Sequence, residues 1–339
     1  MGDVLIRVVA GFALAGLLPV SPALAADDDD RPLFTFKDPR ITESSGLALS
    51  PTRDDVYYTH NDSDAGATFF AVDGKGQTRA TFTVAGAEAR DWEGMAASKD
   101  PKTGRGVLWF ADIGDNFDGA WPDISIYKVM EPTSFRDATL PATRYRFTYE
   151  DGGHNAEGIM VHPRTGRLSV VTKQFSGAIY EAPKRLRTGR VNVLRKIGPA
   201  PIMATDAAYA PDGSSFVIRT YFSASVFRAP GELIAKVSMP QLDQAESIAY
   251  SRDGRSLLVG SEGVNSPVYE VPLPDTALPT PTPSASAEPS AEASPEATVE
   301  GGAVSASQGG GLTTGDILLW VAAAVGATGV ITVIARKAR

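Results

Sequence analysis

Asp91-Trp92-Glu93-Gly94-Met95-Ala96-Ala97, then a polar turn at Thr103-Gly104, then Val107-Leu108-Trp109-Phe110: a carboxylate, a small and apolar run, a turn and a β-rich run follow one another within 20 residues. The same order recurs four times, at Glu43-Ser44-Ser45-Gly46-Leu47-Ala48-Leu49, Glu157-Gly158-Ile159-Met160-Val161, Asp206-Ala207-Ala208-Tyr209 and Glu246-Ser247-Ile248-Ala249-Tyr250. The β-rich partners are Val56-Tyr57-Tyr58-Thr59, Leu168-Ser169-Val170-Val171, Phe216-Val217-Ile218 and Leu257-Leu258-Val259, with turns at Thr165-Gly166, Asp212-Gly213 and Asp253-Gly254. A third run follows in each unit, for example Thr68 to Val72, Ile124 to Val129, Ala178 to Tyr180 and Pro267 to Val271, and a fourth is visible as Arg79 to Val84, Ala142 to Phe147 or Glu232 to Val237.

Four antiparallel strands per unit, with acids 50, 64, 49 and 40 residues apart, fall in the spacing range of propeller blades. The expected fold is therefore all-β, a β-propeller of five blades. A six-bladed ring stays open if the long second interval, with its loop Asp115 to Asp123, hides further strands, and an open β-sandwich is the structural rival. The last unit lacks a fourth strand, and Leu33-Phe34-Thr35-Phe36 ahead of the first unit would complete it and leave no free edge.

The flanks read differently. Arg7, the apolar run Val8 to Val20 and Ser21-Pro22-Ala23-Leu24-Ala25 have the order of a secretory signal, so residues 1–25 are expected to be cleaved near Ala25. Residues 26–274 form the propeller domain. Residues 275–315 contain no Lys or Arg and are rich in Pro, Ser, Thr, Ala and Glu, the composition of a stalk reaching about 35 Å as a coil. Residues 316–335 carry one charge, at Asp316, and the rest would span about 28 Å as a transmembrane helix. The basic tail 336–339 then places that end in the cytoplasm and the propeller outside, as a single-pass cell-membrane protein.

Composition narrows the chemistry. The 339 residues carry a net charge of −8, with 43% hydrophobic and 21% charged residues, which fits neither a nucleic-acid binder nor a disordered chain. Zero Cys excludes disulfides and thiolate sites, and three His argue against a multi-His metal centre. Gly-x-Ser-x-Gly, His-Glu-x-x-His and phosphate-loop signatures are absent.

In a propeller blade the start of the first strand and the end of the second open on one face. That face is expected to collect Glu43, Glu93, Asp112, Glu157, Asp206 and Glu246 as metal ligands, with Asn61, Asp62, Asp91, Asp115, Asn116, His154, Lys173 and Glu262 as further ligand-facing candidates. Carboxylates converging on one channel repel unless protonated, paired or bridged, and Ca²⁺ takes six to eight such oxygens. The competing reading has each repeated acid bonding backbone N–H groups of its own turn. Two functions follow, a surface binding module for an extracellular ligand or protein, with Ca²⁺ at the channel mouth, and a metal-dependent phosphoester or lactone hydrolase holding its ion on Glu93, Asp112 and Glu157.

Glu43-Ser44-Ser45-Gly46-Leu47, Asp91-Trp92-Glu93-Gly94-Met95-Ala96 and Asn155-Ala156-Glu157-Gly158-Ile159 resemble the Glu-x-Ser-Gly-Leu and Asp-x-Glu-Gly-Ile-Ala repeats of bacterial secreted β-propellers. The resemblance runs over about residues 33–274 and points to the SdiA-regulated family and the esterase-like phytase-family propellers, more loosely to TolB-type and gluconolactonase-type rings. It implies an extracytoplasmic location and a channel cation, and for the enzyme members phosphoester or lactone hydrolysis. The chain lacks the dense Lys and Arg set that a phytate-like polyanion requires.

Overall fold

The computed structural model describes residues 32–279, except 63, 64 and 118. The expected signal sequence, the stalk beyond residue 279, the transmembrane helix and the basic tail lie outside the described residues. Among the described residues there is no α-helix and no helix long and apolar enough to cross a membrane.

A short first strand, β1 (Pro32–Thr35), is followed by β2 (Ser44–Leu49), β3 (Val56–Asn61), β4 (Thr68–Asp73) and β5 (Thr78–Ala85). The second unit comprises β6 (Trp92–Lys99), β7 (Gly106–Asp112), β8 (Ile124–Met130) and β9 (Ala138–Tyr149). The third comprises β10 (Ala156–Val161), β11 (Leu168–Thr172), β12 (Ala178–Glu181) and β13 (Asn192–Pro199). Then come β14 (Ala204–Tyr209), β15 (Phe216–Thr220), β16 (Ser223–Ala229) and β17 (Glu232–Ser238), and finally β18 (Ala245–Tyr250), β19 (Ser256–Ser261) and β20 (Pro267–Pro272). Within each unit successive strands pair antiparallel, and β1 pairs antiparallel with β20 (Phe34 opposite Val268), so the first of the described strands completes the last of the described sheets.

Burial explains the sequence pattern. All seven residues of β7 are buried, as are all of β10 and β18, because first and second strands have a neighbouring sheet on each face. Outer strands instead alternate, as in Thr78–Ala85, where Ala80, Phe82 and Val84 face inward and Arg79, Thr83 and Ala85 face water. The Asp-Gly turns close β14 to β15 and β18 to β19, with φ of 69° at Gly213 and 71° at Gly254, a conformation that costs glycine little.

Strands β2, β6, β10, β14 and β18 lie side by side in sequence order, and β18 returns against β2. Their C-terminal ends line one cavity of about 460 Å³, from Leu47 to Pro51 round to Ala249 to Arg252. First strands packed around a common axis, with sheets stacked outward from it, make a β-propeller and not a two-layer sandwich. Apolar slabs fill the space between sheets. Between the first two units Trp92 stacks on Phe110 with centroids 5.0 Å apart, and Phe69 stacks on Phe82 at 5.1 Å.

Two features were not legible in the sequence. The twelve-residue β9 runs parallel to β5 over Phe82 to Ala85 and, further along, parallel to β13 over Asn192 to Leu194, joining three units edge to edge. Strand β13 itself, Asn-Val-Leu-Arg-Lys-Ile-Gly-Pro, is exposed and basic enough to pass for a loop.

Candidate metal centre and channel face

The register of each first-to-second strand pair slips at its start. Ala156 faces Thr172 but Gly158 faces Val171, so Glu157 is an extra residue, and the same slip surrounds Glu93 (between Trp92 and Met95) and Glu246 (between Ala245 and Ile248). Such bulges turn a side chain out of the sheet's alternation. The corresponding bulge residues in β2 and β14 are Ser45 and Thr205. The five sequence acids thus do not share one position. Glu43 precedes β2 and is exposed, in the place that Asp91, Asn155 and Gln244 hold in other units, and Asp206 sits one residue past its bulge. Backbone bonds confirm the equivalence: Asp62, Gly114, Lys173 and Glu262 donate their N–H groups to the carbonyls of Glu43, Asp91, Asn155 and Gln244 respectively.

Four of the expected metal ligands lie against other groups of the protein. Glu157 receives the Lys173 ammonium at 2.9 Å, and Lys173 also lies over the Tyr221 ring at 5.1 Å. Burial opposes the charge on Lys173, yet the nearby Glu157, Glu246 and Glu93 outweigh it and hold its pKa well above the usual value. Glu246 faces Lys173 and Arg219, although burial still raises its pKa well above normal. Asp206 accepts the N–H groups of Ala207 (2.7 Å) and of Ile248 in the next unit (2.9 Å), with Arg219 nearby, so it staples one sheet to another. Asp112 accepts the Asp91 N–H at 3.0 Å and lies 3.7 Å from the Arg90 guanidinium.

The remaining arrangement is different. Oxygens of Asp62, Asp91 and Glu93 lie within 4.8 Å of one another. Oxygens on opposite sides of one Ca²⁺, each about 2.3–2.6 Å from it, are separated by about as much, so the three fit a single ion. Glu93 is buried and hydrogen-bonded to Glu157, and its pKa is raised well above normal by burial first, then by the charges of Glu157, Asp62 and Asp91. Asn116 donates to Asp91 at 3.4 Å and is itself held by Asn155 at 3.2 Å. Across the mouth, Glu262 is pushed up to about 8 by burial, then by Asp62, Glu43 and Glu157.

The other candidates organise the rim. Asn61 accepts the N–H groups of Thr42 and Glu43 and donates to the Arg40 carbonyl. Asp115 is buried and accepts the Phe117 and Trp121 N–H groups, which shapes the loop after β7. His154 is held between Gln174, the Asp151 carboxylate and Tyr180. His60 is fully buried against Trp92 and Phe110 and is pushed down to about 4 by burial, which keeps it neutral.

Gly114 makes the close approach possible. A Cβ there would lie 2.4 Å from carboxylate oxygens of both Asp91 and Glu93. Gly114→Ala is therefore expected to spread the two acids and to abolish any Ca²⁺-induced rise in melting temperature while leaving the folded far-ultraviolet spectrum unchanged. An unaltered calcium response in thermal melts would refute this placement.

No family model matches the chain, and no curated protein matches it either. Among solved structures, a gluconolactonase of Xanthomonas campestris resembles it with 15% identity and a TM-score of 0.42, over 73% of this chain and 90% of that one.

Proposed function

We propose that the chain is a cell-surface binding module, a five-bladed propeller carried on a stalk and a single transmembrane helix, with Ca²⁺ on Asp62, Asp91 and Glu93. The observation that carries this reading is the convergence of Asp62, Asp91 and Glu93, whose carboxylate oxygens lie within 4.8 Å of one another and form an all-oxygen set. Hard carboxylate oxygens without His or Cys favour Ca²⁺ over Zn²⁺ or Cu²⁺. The hydrolase reading on Glu93, Asp112 and Glu157 has less support, since Asp112 and Glu157 are engaged by Arg90 and Lys173.

Calcium titration of the purified protein tests this. At a hundredfold excess over Kd the ion should stabilise the fold by about 2.7 kcal/mol, a rise of several degrees in melting temperature, and Asp91→Asn should remove the rise. No shift in the parent protein would overturn the site. Turnover of a phosphoester or lactone panel that disappears in Asp91→Asn would replace the binding reading with hydrolysis.

A further inference from the structure

Among the described residues nine large hydrophobic side chains are exposed, and six of them stand on the acidic face. Phe117 and Trp121 lie in the loop after β7, Phe175 after β11, Phe222 after β15 and Val264 after β19, and Ile202 lies in the connection into β14. Each loop follows a second strand or precedes a first one, so connectivity places all six around the same mouth. Phe117, Phe175 and Phe222 are 70%, 66% and 61% exposed, a large apolar outlay for residues that could have been polar. The described chain ends on the other side, where Pro279 lies against Gly254 in the turn between β18 and β19. The collar thus faces away from the point at which the chain continues.

Carboxyl groups stand inside the collar. Glu43 is exposed and Glu262 is half-buried beside it, the two brought together by the Gly263 N–H donating to the Thr42 carbonyl at 2.9 Å. Further in, Oε2 of the buried Glu246 has no hydrogen-bond partner. The nearby amides are committed, Gln244 to Glu262, Gln174 to His154 and Asn155 to Asn116 and Asp115. Glu43 and Glu262 present carboxyl oxygens that accept hydrogen bonds, and aromatic faces carry negative charge density. A guanidinium or ammonium group only donates, and it is attracted to aromatic faces. The protein already shows this chemistry with its own Lys173, held between Glu157 and the Tyr221 ring.

We propose that this face docks a basic segment of a partner protein, its arginine or lysine side chains meeting Glu43 and Glu262 while the aromatic collar closes around them. The proposal rests on the reading of the face as a binding surface and names the partner's chemistry. It places the partner beside the cation cluster and not in it, so Ca²⁺ and partner bind together.

The probe is acetylated, amidated tetra-arginine, with tetra-citrulline as its uncharged isostere, titrated calorimetrically into the full-length protein in saturating Ca²⁺. Tetra-arginine is expected to bind, weakening at least tenfold between 50 and 300 mM salt, and tetra-citrulline not to bind. The double variant Glu43→Gln/Glu262→Gln should weaken binding at least tenfold, and Phe175→Ser/Phe222→Ser about fivefold, with the calcium-induced melting shift of both intact. The phenylalanine variant separates docking from general attraction to an acidic protein, since it changes no charge. Equal affinity for the citrulline peptide, affinity indifferent to either double variant, or loss of peptide binding on adding Ca²⁺ would each overturn the proposal. Absence of the calcium shift with peptide binding preserved would overturn the cation site alone.

Discussion

Lys173→Met is expected to lower the unfolding free energy by about 3–5 kcal/mol near pH 7.5, the cost of leaving buried carboxylates without their cation. The ammonium of Lys173 touches Glu157 at 2.9 Å, and the charges of Glu246 and Glu93 also act on it. Methionine keeps the length and apolar stem of the side chain, so packing changes little and the loss reports charge. The loss should shrink at pH 5. Without Lys173 one of the crowded carboxyls must take up a proton to remain buried, which is costly at high pH and easy at low pH. Urea unfolding of both proteins at pH 5 and 7.5 measures this, and a loss of equal size at the two pH values would show that the lysine acts through packing.

The second large effect concerns the metal-free protein and pH. Glu262 stands at about 8 and Glu93 well above its ordinary value, both raised chiefly by burial. A carboxyl whose pKa is higher folded than unfolded favours the folded state while protonated. Its contribution is complete below the unfolded value near 4.5 and is lost as pH rises through the folded one. In chelator the protein is thus expected to lose stability from about pH 4.5 to pH 8, by a few kcal/mol in all. Ca²⁺ on Asp62, Asp91 and Glu93 should reduce that decline by stabilising the ionised form of Glu93, so the calcium-induced rise in melting temperature grows with pH. Calcium binding should also release protons, seen as a dependence of the calorimetric enthalpy on buffer. A calcium response that is flat across this range would contradict the assignment of Glu93.

What the sequence made readable was the unit, because strand alternation, Asp-Gly turns and small residues at strand starts are local properties. Where each acid would sit was not readable. A bulge adds a residue without a mark in composition, and Glu43, Glu93 and Asp206 look alike in an alignment while the backbone places them at three positions. The cluster draws Asp62 from the end of one second strand and Glu93 from the next first strand, a juxtaposition that only the packing of neighbouring sheets creates. Asp91 and Glu93 were legible as neighbours of the loop after β7. The collar was not, because Phe175 and Phe222 resemble core residues until their loops are seen from outside.

The strand order at the two ends of the described residues bears on how the domain carries load. The last strand, β20, has β19 on one side and β1 on the other, and the residues after it, Leu273, Ala277 and Leu278, are buried or half-buried in the apolar core. A pull applied beyond Pro279 therefore cannot unzip an edge one hydrogen bond at a time. It has to drag those apolar residues out and then shear two ladders together, and β1, added from the far end of the sequence, acts as the clasp that turns peeling into shear.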